Sequence, residues 1–303
     1  MSIRLEMLQV ARLAPKILGD SADLVTQFIA NQQNPDGGFK DRSGASDLYY
    51  TMFALDSLIS LQTSKVSNTV AGYLRSFESG RNLDFVHLCC LARAHAAYAN
   101  INPDPGRQLK PSETWIQEIL GSIEQFRCSD GGYNPKAGSK HGTTYGSFLG
   151  LGAYLDLGRA ISRPLEIVRS LKLLESTDGA WGNEIGTRIG GTNPTAAAVT
   201  ALRHLHMPIN GAVGNWLLER FHPQGGFVAM PAAPMPDLLS TATALHALSG
   251  LEIALPQTVR DRCLDYVDSL WTNAGGFHGN WSDDELDCEY AFYGLLALGH
   301  LAV

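Results

Sequence analysis

The chain has 303 residues, 45% of them hydrophobic and 17% charged, with a net charge of −7. That acidic balance argues against nucleic acid as a partner, because phosphate binding needs a basic surface. No stretch approaches the roughly 20 apolar residues of a membrane span, and five cysteines without a framework spacing read as reduced intracellular thiols.

The N-terminal stretch carries Arg4, Glu6, Arg12 and Lys16 around Pro15 and lacks the apolar core of a signal peptide. An amphipathic helix is predicted over 24–31, closed by the turn Gly37-Gly38-Phe39. The turn recurs as Gly131-Gly132-Tyr133, Gly179-Ala180-Trp181, Gly225-Gly226-Phe227 and Gly275-Gly276-Phe277, in steps of 94, 48, 46 and 50. Because the first step is about double the others, a degraded sixth copy is expected near Gly80. A fixed period of this kind marks a repeat whose units bury their apolar faces against one another.

After each turn a second helix is predicted, starting near 47, 84, 143, 191, 237 and 287, with Asp or Thr at most of these positions as N-cap. These second helices, for instance 195–202 and 291–298, are apolar almost all round and suit burial on both sides. The first helices, such as 24–31 and 259–271, suit an outer layer. The prediction is an all-α chain forming one domain over 1–303, a closed α/α toroid of about six helical hairpins. Cys89-Cys90, inside an apolar helix, reads as core.

The repeats resemble those of protein prenyltransferase β subunits and of squalene and oxidosqualene cyclases. Phe28-Ile29, Gln33, Gly37 and Phe39 match the cyclase repeat of an aromatic-aliphatic pair, a Gln and a Gly-x-aromatic turn. Trp216-Leu217 with Gly225 and Phe227, and Tyr266-Val267 with Gly275 and Phe277, keep the frame but put Phe221 and Trp271 in the Gln place. The likeness runs from about residue 20 to the end, and in size the chain is nearest the single-barrel β subunits, geranylgeranyl transferase type II among them.

The resemblance implies a zinc held by Asp-x-Cys at the fifth inner helix and His at the sixth. Asp237 matches, but Leu239 stands in the thiolate place and Tyr290 in the histidine place. Zinc takes N, S or O ligands, so the familial zinc site is expected to be absent and no cofactor is expected. Leu239 also replaces the proton-donating middle Asp of the cyclase Asp-x-Asp-Asp motif. The Arg and Lys that clamp a diphosphate in the transferases are missing from 228–233, whereas His141 resembles their diphosphate-binding His.

Aligning the sixth repeat on the fifth puts Asp287 on Asp237 and Glu289 on Leu239, so Glu289 occupies the proton-donor place in a different repeat. Beside Asp287 and desolvated, such an acid stays protonated near neutral pH; the plainer alternative is a solvent-facing member of the acidic run Asp283-Asp284-Glu285. Arg42, Lys140 and Arg188 are expected on the loops that converge on one mouth, with His141, to meet an anionic group. Tyr49, Tyr145, Tyr290 and Tyr293, near inner-helix starts, are expected to line an aromatic cavity and to stabilise cations, by about 0.5 to 2 kcal/mol each. A metal held by Asp287, Cys288 and His278 is only weakly signalled by their spacing.

Three functions remain open at this stage. The leading one is an enzyme that binds an isoprenoid and cyclises or isomerises it by acid, with Glu289, Asp287 and Asp237 as catalytic residues. The others are a β-like subunit that transfers a prenyl group with an α-type partner subunit, and a non-catalytic isoprenoid or lipid carrier. The expected location is the cytoplasm, with an apolar ligand able to bring the protein to a membrane surface.

Overall fold

The structure is a computed structural model and describes residues 1–63, 67–101 and 109–303. Fourteen helices are found among the described residues. Helices α1 (Ile3–Ala11) and α2 (Pro15–Leu18) precede the repeats. The outer helices are α3 (Ser21–Asn31), α5 (Thr69–Ser76), α7 (Glu113–Glu124), α9 (Pro164–Leu173), α11 (Ala212–Leu218) and α13 (Gln257–Ser269). They alternate with the inner helices α4 (Leu48–Ser60), α6 (Phe85–Ile101), α8 (Thr144–Asp156), α10 (Thr192–His204), α12 (Leu238–Gly250) and α14 (Cys288–Leu301). Each inner helix packs on the next and α14 packs back on α4, so the ring is closed. The fold is the α/α toroid that the period predicts. The only strands among the described residues are β1 (Phe39–Lys40) and β2 (Ser46–Asp47), an antiparallel pair.

The turn glycines fix the interval between neighbouring hairpins. Gly225, at φ +102°, has backbone in a region that L side chains avoid, and a Cβ there would run into the Arg262 carbonyl of α13. Gly37 meets α5 and Gly131 meets α9 in the same way, while Gly275 meets Leu24 of α3 and so joins the last hairpin to the first. Gly179 is the exception, with open space where its Cβ would be. Gly80 also has a positive φ, between α5 and α6, but a Cβ there would meet only Leu88, Leu83 and Leu91 side chains.

Four of the five turns are tied to their own inner helix by a second repeated contact, and in the fifth Ala291 stands at the hydroxyl's place. The N–H groups of Phe39, Tyr133, Trp181 and Phe227 donate to the hydroxyls of Thr51 (2.9 Å), Ser147 (3.2 Å), Thr195 (3.1 Å) and Thr241 (2.9 Å). Side-chain caps start five of the inner helices: Asp47 accepts from Tyr49 N–H, Asp84 from His87, Thr143 from Gly146, Asp237 from Ser240 and Asp287 from Tyr290. Gly191 starts α10 with no side-chain cap. The starts of all the inner helices thereby gather at one rim.

Helix α1 closes the opposite end, lying against α4, α8, α10 and α14. Its buried Arg4 reaches Asp56 (3.3 Å) and Asp156 (3.5 Å), near the ends of α4 and α8. Glu6 pairs with Arg203 (2.8 Å) and His204 (3.4 Å) at the end of α10. A Cβ on Gly299 would strike the Val10 backbone, so α1 and α14 touch main chain to main chain.

Two glycine substitutions read out this packing with opposite signs. Gly225→Ala is expected to destabilise the chain by about 2 to 3 kcal/mol in urea unfolding. Gly121→Ala, in the exposed middle of α7 with nothing near its Cβ, should stabilise it by about 0.5 to 1 kcal/mol. An unchanged midpoint for Gly225→Ala would contradict the turn-to-helix contact.

Candidate functional site

The rim ends of the inner helices enclose a central cavity with two lobes. The larger, of about 220 Å³, is bounded by Tyr49 and Phe53 of α4, Leu239 of α12, and Glu289, Phe292 and Tyr293 of α14, with Met7 of α1 below. The smaller, of about 50 Å³, continues towards Ile3, Arg4, Cys89, Cys90 and Asp156. Tyr49, Phe53, Arg93, Tyr145, Phe148 and Tyr293 face both lobes. Helical spacing explains the aromatic wall: Tyr49 and Phe53, like Glu289 and Tyr293, are four residues apart and share one helix face. The rings pack edge to face or tilted, with centroids 4.9 Å apart for Tyr49–Phe53 and 5.4 Å for Phe53–Tyr293.

Glu289 is the carboxyl of the larger lobe. The Tyr49 hydroxyl lies 2.6 Å from Glu289 Oε1. Burial pushes the pKa of Glu289 up from 4.5 to about 7; the Asp287 charge adds to the shift, and the Tyr49 hydrogen bond and Arg42 act against it. Asp287 has both oxygens engaged: Oδ1 accepts from Tyr290 N–H, and Oδ2 takes the Arg42 Nε–H at 2.8 Å. Arg42 also pairs with Asp283 (2.9 Å) and lies 5.5 Å from the Tyr290 ring centroid. This group stitches the loop of the first hairpin to the loop of the last, directly above Glu289.

The structure thus brings Glu289, Tyr49, Tyr145 and Tyr293 together at the cavity, with Asp287, Arg42 and Tyr290 on the rim. Asp237 caps α12, and burial raises its pKa. His141, Lys140 and Arg188 are exposed on rim loops, His141 at 3.5 Å from Asp130, so these three do not join the cavity wall. The residues at the zinc-ligand places do not form a donor set: Asp237 is a cap, Leu239 faces the cavity, and Tyr290 lies beneath Arg42. Among the described residues no group of three or more His, Cys, Asp or Glu is arranged to hold a metal, Asp287, Cys288 and His278 included.

The charged end of the cavity is absent from the sequence reading. Arg93 of α6 donates its Nε–H to Asp56 Oδ2 (2.7 Å), and Asp56 Oδ1 in turn meets Arg4. Phe53 and Phe292 lie 5.9 and 5.8 Å from the Arg93 guanidinium. The available signal was a charged residue in the middle of each of two helices that are otherwise apolar almost all round, Asp56 and Arg93, since such residues are rarely buried without partners.

The model of the prenyltransferase alpha-alpha toroid domain matches residues 6–90 and 195–302. No curated protein matches the chain in sequence. Among solved structures, the type II terpene cyclase MstE from Scytonema superposes with a TM-score of 0.61 at 13% identity, over 94% of this chain and 97% of that one. An inactive variant of the α-1,6-mannanase GH76A of Salegentibacter sp. HEL1_6, in complex with α-1,6-mannotriose, gives 0.61 at 15% identity over 94% and 98%. Candida albicans protein geranylgeranyltransferase-I complexed with GGPP gives 0.51 at 14% identity over 67% and 65%. At such identities the likeness is one of fold, and chemistry has to be argued from the site. No helix among the described residues is long and apolar enough to cross a membrane.

The raised pKa of Glu289 carries a stability signature. A carboxyl that binds its proton more tightly in the folded chain contributes fully below its unfolded value of 4.5, and that contribution is lost as pH rises to about 7. Glu289→Gln, which cannot ionise, is therefore expected to exceed the wild type in stability by on the order of 3 kcal/mol near pH 8, at 1.4 kcal/mol per pKa unit, and to match it near pH 4. Tyr49→Phe removes the hydrogen bond that lowers this pKa, so it should move the titration to higher pH. Equal stabilities of wild type and Glu289→Gln at both pH values would place Glu289 in water.

Proposed function

The chain belongs to the prenyltransferase alpha-alpha toroid family, and for this member we propose acid-initiated cyclisation or isomerisation of an isoprenoid chain held in the central cavity. The observation that carries the proposal is Glu289: a half-buried carboxyl whose pKa is pushed up to about 7, facing an aromatic cavity at the rim ends of the inner helices. In this reaction the protonated carboxyl gives its proton to an alkene or epoxide. With an alkene, the π electrons form the new C–H bond and leave a cation on the neighbouring carbon; with an epoxide, a C–O bond breaks instead. A second double bond closes a ring onto the cation, or a neighbouring C–H loses its proton, and loss of a proton to Glu289 or to solvent restores neutrality. The product has the mass of the substrate.

Several features support this reading. The aromatic side chains of Tyr49, Tyr145, Phe148 and Tyr293 line the space in which positive charge develops. Asp287, fixed by its cap and by Arg42, raises the proton affinity of Glu289 without competing for the substrate. Exposed Ile189, Met230 and Trp281 on the rim loops favour uptake of an apolar molecule. A glycan is a poorer fit, because glycoside hydrolysis needs two carboxyls flanking a sugar. The other cavity carboxyl, Asp156, belongs to the ion-paired lobe at the far end.

The direct test incubates the protein with geranylgeranyl diphosphate or squalene and analyses the lipids by mass spectrometry. An isomeric product of shifted retention is expected, formed more slowly as pH rises above about 7 because the acid form is consumed. Glu289→Gln should lower turnover by about a thousandfold; full turnover in that variant would refute the assignment.

A further inference from the structure

Part of the rim carries a surface that proton transfer at Glu289 leaves unused. Three successive rim loops, 134–141, 182–191 and 228–237, are joined edge to edge. Just past the first, the Thr144 hydroxyl donates to the Gly182 carbonyl (2.6 Å) and the Tyr145 N–H to Asn183 Oδ1 (3.0 Å). Just past the second, the Thr192 N–H donates to the Ala229 carbonyl (2.8 Å). Between Val228 and Pro236 the third loop has no polar side chain, yet Met230, Pro231, Ala232 and Pro234 are exposed. Ile185 and Ile189 stand out on the second loop, 46% and 61% exposed. Large apolar side chains gathered in this way on a surface mark a contact with something other than water. Tyr145, which lines the cavity, is itself exposed beside Asn183, so the loops border the cavity's opening.

The charges among these side chains indicate what covers them. Lys136 and Lys140 on the first loop, and Arg188 next to Ile189 on the second, are exposed and make no ion pair among the described residues. Glu184 is the one exposed acid on the three loops; Asp284 and Glu285 lie on the next loop round, beyond Trp281. The core of a protein–protein contact is depleted of charge, and of lysine in particular. A bilayer takes both kinds of side chain: apolar ones pass between the headgroups, while amines and guanidiniums stay at the level of the phosphates. The chain as a whole carries −7, so the attraction is local to these loops and is screened by salt.

We propose that loops 134–141, 182–191 and 228–237 dock the protein on a phospholipid bilayer with anionic headgroups, with Ile185, Ile189 and Met230 entering the boundary between headgroups and acyl chains. The opening of the cavity then faces the membrane, and an apolar chain passes between the two without crossing water. That use of the docked state rests on the reading of the cavity as an isoprenoid site; the docking itself does not.

Flotation of the full chain tests the proposal, with vesicles of phosphatidylcholine containing about 30% phosphatidylserine and with vesicles of phosphatidylcholine alone. The wild type is expected to float with the mixed vesicles and to bind phosphatidylcholine alone at least about tenfold more weakly. Ile185→Ser/Ile189→Ser/Met230→Ser should lower the affinity for mixed vesicles by at least about tenfold. Lys136→Gln/Lys140→Gln/Arg188→Gln should lower it by about fivefold per residue and abolish the difference between the two vesicles. Leu5→Ser, at an exposed leucine of α1 on the opposite end, should bind as the wild type does. No binding to mixed vesicles, undiminished binding by the apolar variant, or a lysine and arginine variant that still distinguishes the two vesicles would overturn the proposal. Self-association of the wild type that the apolar variant abolishes would overturn it as well, because a second copy would then cover the loops. Binding is read without turnover, so the result stands whether or not Glu289 is the acid.

Discussion

The fold depends on the contact between a turn glycine and the main chain of a neighbouring outer helix. At Gly37, Gly131, Gly225 and Gly275 a single added carbon would occupy the space of that helix. The contact sets the spacing of the hairpins, and the one between Gly275 and Leu24 returns the sixth hairpin to the first. The hydroxyls of Thr51, Ser147, Thr195 and Thr241 then hold four of the five turns against the start of their own inner helices. Two short-range requirements, repeated around a ring, therefore place the inner-helix starts around one opening.

Closure of the ring also creates the electrostatics of the site. Tyr49 and Glu289 are 240 residues apart in the chain and meet at 2.6 Å only because α14 packs against α4. Arg42, reaching from the first hairpin to Asp283 and Asp287, locks the same seam from above. Below, α1 blocks the base of the barrel with Met7 and Ile3, and its Arg4 is neutralised by Asp56 and Asp156. The cavity is thus closed at its base, with an aromatic wall beside Glu289, and desolvation is the largest influence on the Glu289 carboxyl. Water in a through-channel would bring that pKa back towards its ordinary value.

The sequence reveals most clearly what rests on local constraints. The glycine turns are legible because the backbone there tolerates no side chain, and the toroid follows from their period. Glu289 is legible as a candidate because the repeats align and place it on Leu239; the structure puts both side chains in one cavity wall. Its burial is less evident, since the run Asp283-Asp284-Glu285 just before it points to solvent. The rim loops of His141, Lys140 and Arg188 can be located, but the repeat does not set the direction of their side chains, which remain exposed. The ion pairs of Asp56 cannot be read from any repeat, because they join positions 52 and 37 residues apart and draw Arg4 from α1, which lies outside the hairpins.

The central claim is that Glu289 carries a proton near neutral pH inside an apolar cavity. Infrared difference spectroscopy between the wild type and Glu289→Gln observes that proton directly through the C=O stretch of a carboxylic acid. The account predicts a protonated-carboxyl band at about pH 6 that disappears by about pH 8.5, as expected for a group desolvated to a pKa of about 7. A spectrum showing Glu289 already ionised at about pH 5.5 would contradict it.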